Sequence, residues 1–425
     1  MLLIISDDLN TDLGCYGHPQ VKSPHIDRLA ARGVRFDRAY CQFPLCNPSR
    51  ASMLTGLRPD TLKLYGNWVA PNENIPDAVF LPEYFRQHGY RTGRFGKVMH
   101  EPFEHLLSWD EGTAPPWPRR PRDETTSRPT PTTLPLKWAA TSRDDSAEKD
   151  GQIARAAVRF LEREKASPFF LSVGLNRPHE PFNAPRKYFD LYPPPLIALP
   201  DEPADDAADI PEIARFEYFP QGFTPPKRRQ FMAAYYAGIS FMDAQVGLLI
   251  DALDRLGLSD RTIVVFLGDH GFLTGQHGGL WRKEFLFEEA LRVPLVIVAP
   301  GRSRGAVSPR LVELIDLFPT LIELCGLPPI ERVEADSLAP VLDDVERPWK
   351  RAAFSQIRRR GDIMGRSVRT ERYRFNDWGE GQAFELYDHA SDPHEYVNLA
   401  NDPAYAATVA EMRRILEAGW KAARP

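Results

Sequence analysis

The chain has 425 residues, 43% hydrophobic and 26% charged, with a formal net charge of −5. That length supports a large core, with room for a main domain and a smaller one. The weak negative charge excludes a global basic field for nucleic acid, and no apolar run is long enough to span a bilayer.

Residues 2–6 read as a buried first strand, with Asp7-Asp8 directly after it. Residues 26–32 read as a helix and 34–36 as the strand that follows. Cys46 stands where a helix can begin, with 49–54 as its first turn. A short helix at 82–88 precedes a strand at 90–95, and Lys97 and His100 lie just beyond. An amphipathic helix at 152–164 leads into a buried strand at 169–174, with His179 past its end. Phe231, Tyr235, Ile239, Met242, Val246, Leu249, Leu253 and Leu256 recur at three- and four-residue steps. They mark one long helix with an apolar face. Residues 262–267 read as a central strand with Asp269-His270 beyond it, and 294–298 as another strand.

Two stretches break this rhythm: 112–136, rich in Pro, Thr and Arg, and 192–226, rich in Pro, Asp and Glu. Loops of that length often border a site, and 40 prolines favour ordered loops. Beyond Asp343 the pattern changes. Residues 367–370, 373–375 and 385–388 alternate like antiparallel strands, and 404–422 closes the chain as a helix. The expected division is a catalytic domain over 1–343 and a small α+β subdomain over 344–425. The fold class is α/β, with a mixed, mostly parallel sheet flanked by helices.

Cys15, Cys41, Cys46 and Cys325 show no CxxC spacing and make no dense disulfide framework. The opening apolar run is too short for a signal-peptide core. The cytoplasm stays open, as does the periplasm or cell exterior after removal of an export signal.

Polar clusters follow four strands: Asp7-Asp8, Lys97 with His100, His179, and Asp269-His270. Ligands in open α/β sheets sit outside the carboxyl ends of the strands, so these clusters should meet on one rim. Asp7, Asp8 and Asp269 offer hard oxygens, with His270 adjacent, a set suited to Ca2+ or Mg2+. An Asp pair alone is more often a cap or turn; a second acidic position at another strand end favours a metal. Cys46 at a helix start gains free N–H groups and a positive dipole end, and Arg50 adds a fixed guanidinium for an anion.

The string Cys46-Asn47-Pro48-Ser49-Arg50, continuing to Leu54-Thr55-Gly56, resembles the modification signature of type I sulfatases. Residues 3–8 resemble that family's first strand and metal pair, and Ser23-Pro24-His25-Ile26-Asp27-Arg28-Leu29 its next conserved segment. Glu385-Leu386-Tyr387-Asp388 with Asp392-Pro393 is similar to its C-terminal strand and turn. Arg58-Pro59-Asp60-Thr61, Gly96-Lys97-Val98, Arg177-Pro178-His179 and Asp269-His270-Gly271 look like the iduronate-2-sulfatase branch.

The resemblance implies an alkaline-phosphatase-like fold and conversion of Cys46 to formylglycine by a formylglycine-generating enzyme. It implies a Ca2+ ion held by Asp7, Asp8, Asp269, His270 and the modified Cys46. Arg50 and Lys97 would steady the formylglycine and sulfate. His100 would take a proton from the hydrate's second hydroxyl, and His179 and Lys283 would meet the sulfate and leaving oxygen. The implied activity is sulfuric ester hydrolysis on a sulfated carbohydrate, plausibly a 2-O-sulfated uronate of a glycosaminoglycan.

The same superfamily also contains phosphonate monoester and phosphodiester hydrolases, the alternative reading. A non-catalytic glycan-binding protein is disfavoured because every candidate catalytic residue is present. A two-metal phosphatase is disfavoured because the extra Asp and His ligands are not seen. Glu284, beside Lys283, would disfavour a uronate unless it points away. Arg119-Arg120-Pro121-Arg122 and Arg358-Arg359-Arg360 would touch a sulfated polysaccharide or, more commonly for such runs, be solvated surface.

Overall fold

The computed structural model describes residues 1–100, 103, 109–113, 137–215 and 224–425. The first strand, Leu2–Asp7, is buried along its whole length. Leu3 and Ile5 face one core and Leu2 and Ile4 the other, as expected for a strand covered on both faces. It pairs in parallel with Val264–Gly268 on one side and Phe169–Pro178 on the other.

Among the described residues the main sheet has nine strands. Their order is Arg292–Val293, Val34–Tyr40, Leu295–Val298, Val264–Gly268, Leu2–Asp7, Phe169–Pro178, Arg91–Gly96 and Glu111–Thr113. Ala306–Glu313 also pairs on Val34–Tyr40. The half from Val264–Gly268 to Glu111–Thr113 is parallel. Leu295–Val298 runs antiparallel to both neighbours. The chain leaves Val264–Gly268 at its carboxyl end, loops over that rim and re-enters the sheet from the same side. A return without a crossover has to be antiparallel.

The helices Lys149–Glu164 and Pro225–Arg255 cover the face of Leu2 and Ile4. Cys46–Thr55 and Leu317–Leu324 lie over the other face. The first helix spans Pro24–Ala30, two residues ahead of the sequence reading, because proline, which lacks an N–H, suits a first turn whose N–H groups have no intrahelical acceptor. Within 192–226 the chain folds into short turns at Pro194–Leu196, Asp206–Ala208 and Glu212–Arg215. Residues 114–136, with Arg119, Arg120 and Arg122, lie outside the described residues, as do 216–223.

Ala353–Arg358, Met364–Arg369, Tyr373–Trp378 and Ala383–Asp388 form a separate antiparallel sheet. Ala353, Ile357, Trp378 and Tyr387 join the core of the main sheet. Val368, Phe375 and Leu386 pack on Met412 of the closing helix, Ala406–Ala422. Arg359 departs from the expectation of a solvated basic run. It is buried, 4.9 Å from the Trp378 ring centroid, and donates to the Ile213 carbonyl at 3.1 Å. Burial lowers its pKa to about 10.

A buried carboxylate fastens this region to the main sheet. Glu313 accepts from Arg58 at 2.9 and 2.8 Å, from Lys350 at 2.8 Å and from the Phe354 N–H at 3.1 Å. Burial pushes its pKa up, but Arg58 and Lys350 outweigh that and hold it at about 2, below the usual 4.5. A depressed carboxylate stabilises the fold above its unfolded pKa and loses that contribution as pH falls through its folded one. Glu313→Gln should therefore flatten the acid side of a Tm–pH curve from pH 4.5 towards pH 2. At neutral pH it should cost about 3 kcal/mol in chemical denaturation, because Arg58 stays buried without its paired carboxylate and Lys350 keeps Asp316 but loses Glu313.

Candidate active site

Each candidate side chain sits where a strand or short loop ends on one rim. Asp7 closes the first strand, and Asp8 turns out of it with φ 63°. Tyr235 fixes that turn: its hydroxyl donates to the Asp8 carbonyl at 2.7 Å and accepts from the Asn10 N–H at 3.1 Å. Asp269 follows Val264–Gly268, and its N–H donates to the Ser6 carbonyl at 3.1 Å. Lys97 follows Arg91–Gly96, and its N–H donates to the Gly174 carbonyl at 3.0 Å. A Cβ at Gly174 would lie 1.8 Å from the Lys97 carbonyl oxygen, so only glycine lets these two strand ends approach. Lys283 stands between Arg282 at φ 112° and Glu284 at φ 75°. Two non-glycine residues in that region are strained backbone, of the kind found where a side chain must be aimed.

Arg50 gathers these ends. From the buried helix Cys46–Thr55 its Nε donates to Asp269 at 2.8 Å and its Nη2 to Asp7 at 3.3 Å. Its Nη1 donates to the carbonyls of Lys97 at 2.5 Å and Val98 at 3.1 Å. Ser49 donates to the Asp269 carbonyl from the same turn. Cys46 begins the helix, and its sulfur lies 3.2 Å from Lys283 Nζ, 3.4 Å from His270 Nε2 and 3.5 Å from Asp7 Oδ1.

Asp7, Asp8, Cys46 and His270 present ligand atoms that all lie within 4.8 Å of one another. His270 Nδ1 lies 3.0 Å from the Gly271 carbonyl, which can only accept. The neutral ring therefore carries its proton there and turns the Nε2 lone pair into the group. Asp269 borders this group. One of its oxygens takes Arg50, and the other accepts the N–H groups of Asp8 at 3.1 Å and His270 at 3.0 Å. Its Oδ2 is 3.6 Å from His270 Nε2.

Lys97 Nζ is 2.6 Å from Asp7, and Lys283 Nζ is 2.6 Å from Asp8. His179 Nε2 lies 3.8 Å from Asp8, with Nδ1 turned to the Glu180 carbonyl at 2.6 Å. His100 is brought near the same charges, and among the described residues its Nδ1 has no hydrogen-bond partner.

Burial pushes the Asp7 carboxyl up, but Lys97, His179 and Arg50 hold it well below the usual range. Burial also pushes the Cys46 thiol up, and Lys283 and Lys97 reverse the shift. Burial would lower His270, yet Asp269 and Cys46 raise it to about 9. His100 goes the other way: burial, then Lys97, lower it to about 3, so it is a neutral imidazole at neutral pH. A second group, Glu288, His389 and Glu395, is different in kind. Arg374 binds both carboxylates and Tyr40 donates to Glu288, so it is an internal ion cluster.

The sequence reading missed four supports. Tyr235 had been placed only on the apolar stripe of the long helix. Ser49 and Asn47, whose amide holds the loop beside Cys46, enter the sequence reading only as members of the string around Cys46, and Gly174 only as the end of a strand. Each acts through a partner 20 or more residues distant, which periodicity does not register.

The Sulfatase family model matches residues 1–327, and the model for the N-sulphoglucosamine sulphohydrolase C-terminal region matches 275–421. Iduronate 2-sulfatase of Mus musculus is 32% identical, covering 97% of this chain and 93% of that protein. The phosphonate monoester hydrolase of Agrobacterium radiobacter superposes with a TM-score of 0.81 at 26% identity, covering 98% of this chain and 94% of that one. BT1596, a 2-O GAG sulfatase, gives 0.79 at 26% identity, with 98% and 91% covered. A family match running from the first strand through Lys283, over a rim where these charges meet, makes the chain a member of the sulfatase family, a hydrolase of sulfate esters in the sulfatase and alkaline-phosphatase superfamily.

Proposed function

We propose that this enzyme is a formylglycine- and Ca2+-dependent sulfatase that removes sulfate from a sulfated sugar, a 2-O-sulfated uronate of a glycosaminoglycan. The observation that carries this is residue 46 at a helix start, facing two carboxylates and an imidazole, with two ammonium groups beside it. Asp7 and Asp8 suit a hard divalent cation, His270 adds a borderline nitrogen donor, and the Cys46 sulfur is the mismatch. Oxidation of Cys46 to formylglycine, followed by hydration, replaces that sulfur with oxygen and makes the set consistent. Asp7, Asp8, His270 and residue 46 would hold the ion, with Asp269 beside them. Bound there, it would neutralise sulfate oxygens as charge builds in the transition state.

The charges support an anionic substrate. Asp7, Asp8 and Asp269 are balanced by Arg50, Lys97 and Lys283. With a divalent cation bound, the site would be net positive, and Lys97 and Lys283 would be released from Asp7 and Asp8 to meet the ester. One hydroxyl of the residue 46 hydrate attacks sulfur and passes its proton to a neighbouring carboxylate, the S–O bond to the sugar breaks, and His179 gives its proton to the leaving oxygen. His100, held neutral, removes the proton from the second hydroxyl; the aldehyde re-forms and sulfate departs. Water then restores the hydrate. Cys46 is buried, so the formylglycine-generating enzyme must act before the core closes around it.

Two similar proteins support the sugar: an iduronate 2-sulfatase and a 2-O GAG sulfatase. Glu284 does not oppose a uronate, because its carboxylate lies 3.9 Å from Arg282 and acts on the Arg359 guanidinium. The alternative, phosphonate monoester or phosphodiester hydrolysis, is supported by the likeness to the Agrobacterium radiobacter enzyme. Rates on 4-nitrophenyl sulfate and on phenyl phosphonate esters separate the two, and faster phosphonate turnover would select the alternative.

Mass spectrometry of the peptide around Cys46 should show a loss of about 18 Da relative to cysteine. Cys46→Ala should lower kcat by about 10⁴-fold or more while keeping a cooperative native melting transition, since it removes the nucleophile and one of the ion's ligands but no core packing group. Substantial turnover in that variant would refute the mechanism. Asp8→Ala should lower calcium affinity at least as much as Asp269→Ala, each by about tenfold or more in elemental analysis after dialysis. Unchanged calcium in both variants would remove the proposed ligand set. His100→Ala should give a burst followed by slow turnover, with a sulfo group retained on residue 46 in the intact-mass spectrum. Its loss should not move an activity pKa near neutrality, because His100 titrates at about 3.

A further inference from the structure

Asn47 follows the proposed nucleophile and is buried. Its side-chain amide donates to the carbonyls of Gly66 at 3.1 Å and Val69 at 2.9 Å, and its backbone N–H donates to Asn67 Oδ1 at 3.0 Å. These bonds pin residues 66–69 to the first turn of the helix that carries residue 46. Trp68 lies in the middle of the pinned segment. It is 72% exposed, the most exposed large apolar side chain among the described residues. Its ring meets His100 nearly edge to face, with centroids 6.3 Å apart and planes at 85°.

A tryptophan normally contributes by burying its large apolar surface, and what distinguishes this exposed one is its fixed position next to the site. This one stands beside the proposed base and one hydrogen-bonded loop away from the nucleophile. Its indole face is flat, apolar and electron-rich. The C–H face of a pyranose is also flat and apolar, and its slightly positive hydrogens complement the ring quadrupole. A cation from the C-terminal sheet lies against Tyr65, just before this loop. Arg358 lies 5.7 Å from the Tyr65 ring centroid, and its ion pair with Asp362, at 3.5 Å, is exposed. Such a pair is weak in water and leaves the guanidinium open to an acidic sugar.

We propose, resting on the sulfatase reading above, that Trp68 is the stacking platform for the sugar ring whose sulfate ester lies at residue 46. The ring settles on the indole, and the pinned loop fixes the angle at which the ester meets the nucleophile. Selection for a saccharide over a bare sulfate ion then resides in this loop, while the anion itself is held by Lys97 and Lys283.

The test uses the full-length, formylglycine-bearing enzyme with Trp68→Ala and Trp68→Phe. Each is assayed on 2-O-, 6-O- and N-sulfated glycosaminoglycan disaccharides, and the inhibition constant of inorganic sulfate is measured in parallel. For the disaccharide that native enzyme cleaves, Trp68→Ala should raise KM about tenfold, while sulfate inhibition stays within about twofold and Trp68→Phe keeps most of the native affinity. An unchanged KM in Trp68→Ala overturns the proposal. So does a sulfate inhibition constant that rises in step with KM, which would mean that the anion site itself was disturbed. Native enzyme that cleaves 4-nitrophenyl sulfate but none of the disaccharides also overturns it, while leaving the sulfatase reading intact. Native enzyme inert to every sulfate ester would bring down that reading, and the platform with it.

Discussion

The buried guanidinium of Arg50 is the constraint on which the site depends. It joins the helix bearing residue 46 to the ends of three strands, through Asp7, Asp269 and the carbonyls of Lys97 and Val98. A buried charge is costly unless its donors are all engaged. Here Nε, Nη1 and Nη2 each have a partner, and two carboxylates balance the charge. Lysine could not replace this function, because a point charge does not fix three directions at once. The sheet brings the strand ends into the same region, and Arg50 sets the distances among them.

The same arrangement explains why so many like charges can lie so close. Lys97 and Lys283 are each 2.6 Å from a carboxylate, and both also act on Cys46. Opposite charges alternate through the cluster, so no carboxylate faces another without a cation between or beside them. This keeps Asp7 ionised despite complete burial. It also keeps His100 neutral, since that ring faces mainly lysines and the loss of solvent. Two histidines on one rim therefore have opposite tendencies: His270 is drawn towards charge by Asp269 and residue 46, and His100 is pushed from it. Divergent environments of this kind separate a ligand from a proton acceptor.

Much of this was legible in the sequence because it is local. A fully apolar run ending in Asp-Asp gives both a two-sided strand and the position of its acids. The three- and four-residue steps of the long helix gave its apolar face without reference to anything else. Details that depend on distant partners were not legible. The antiparallel course of Leu295–Val298 depends on which side of the sheet the preceding loop returns from. The direction of the Asp269 carboxylate is set by Arg50 and two backbone N–H groups, partners that its place after a strand does not announce. Arg359 belonged to a basic run that composition places in solvent, yet Trp378 and the Ile213 carbonyl bury it.

These two kinds of residue divide the rim physically. The anion-binding centre is over-determined: each of its charges has several partners drawn from different strands, so altering one disturbs the others. Residues 66–69 and 281–284 are different. The first is held by Asn47, and the second by the Glu284 N–H on the Pro44 carbonyl and by Lys283 on Asp8. Within the first of these loops Trp68 is exposed and stands outside the charged cluster. A superfamily whose members act on sulfate and on phosphonate esters can keep the first part nearly fixed, because both substrates present a tetrahedral anion. Discrimination between leaving groups then has to lie in the loops, where a change such as an exposed tryptophan alters what is recognised without touching the charges that hold the ester.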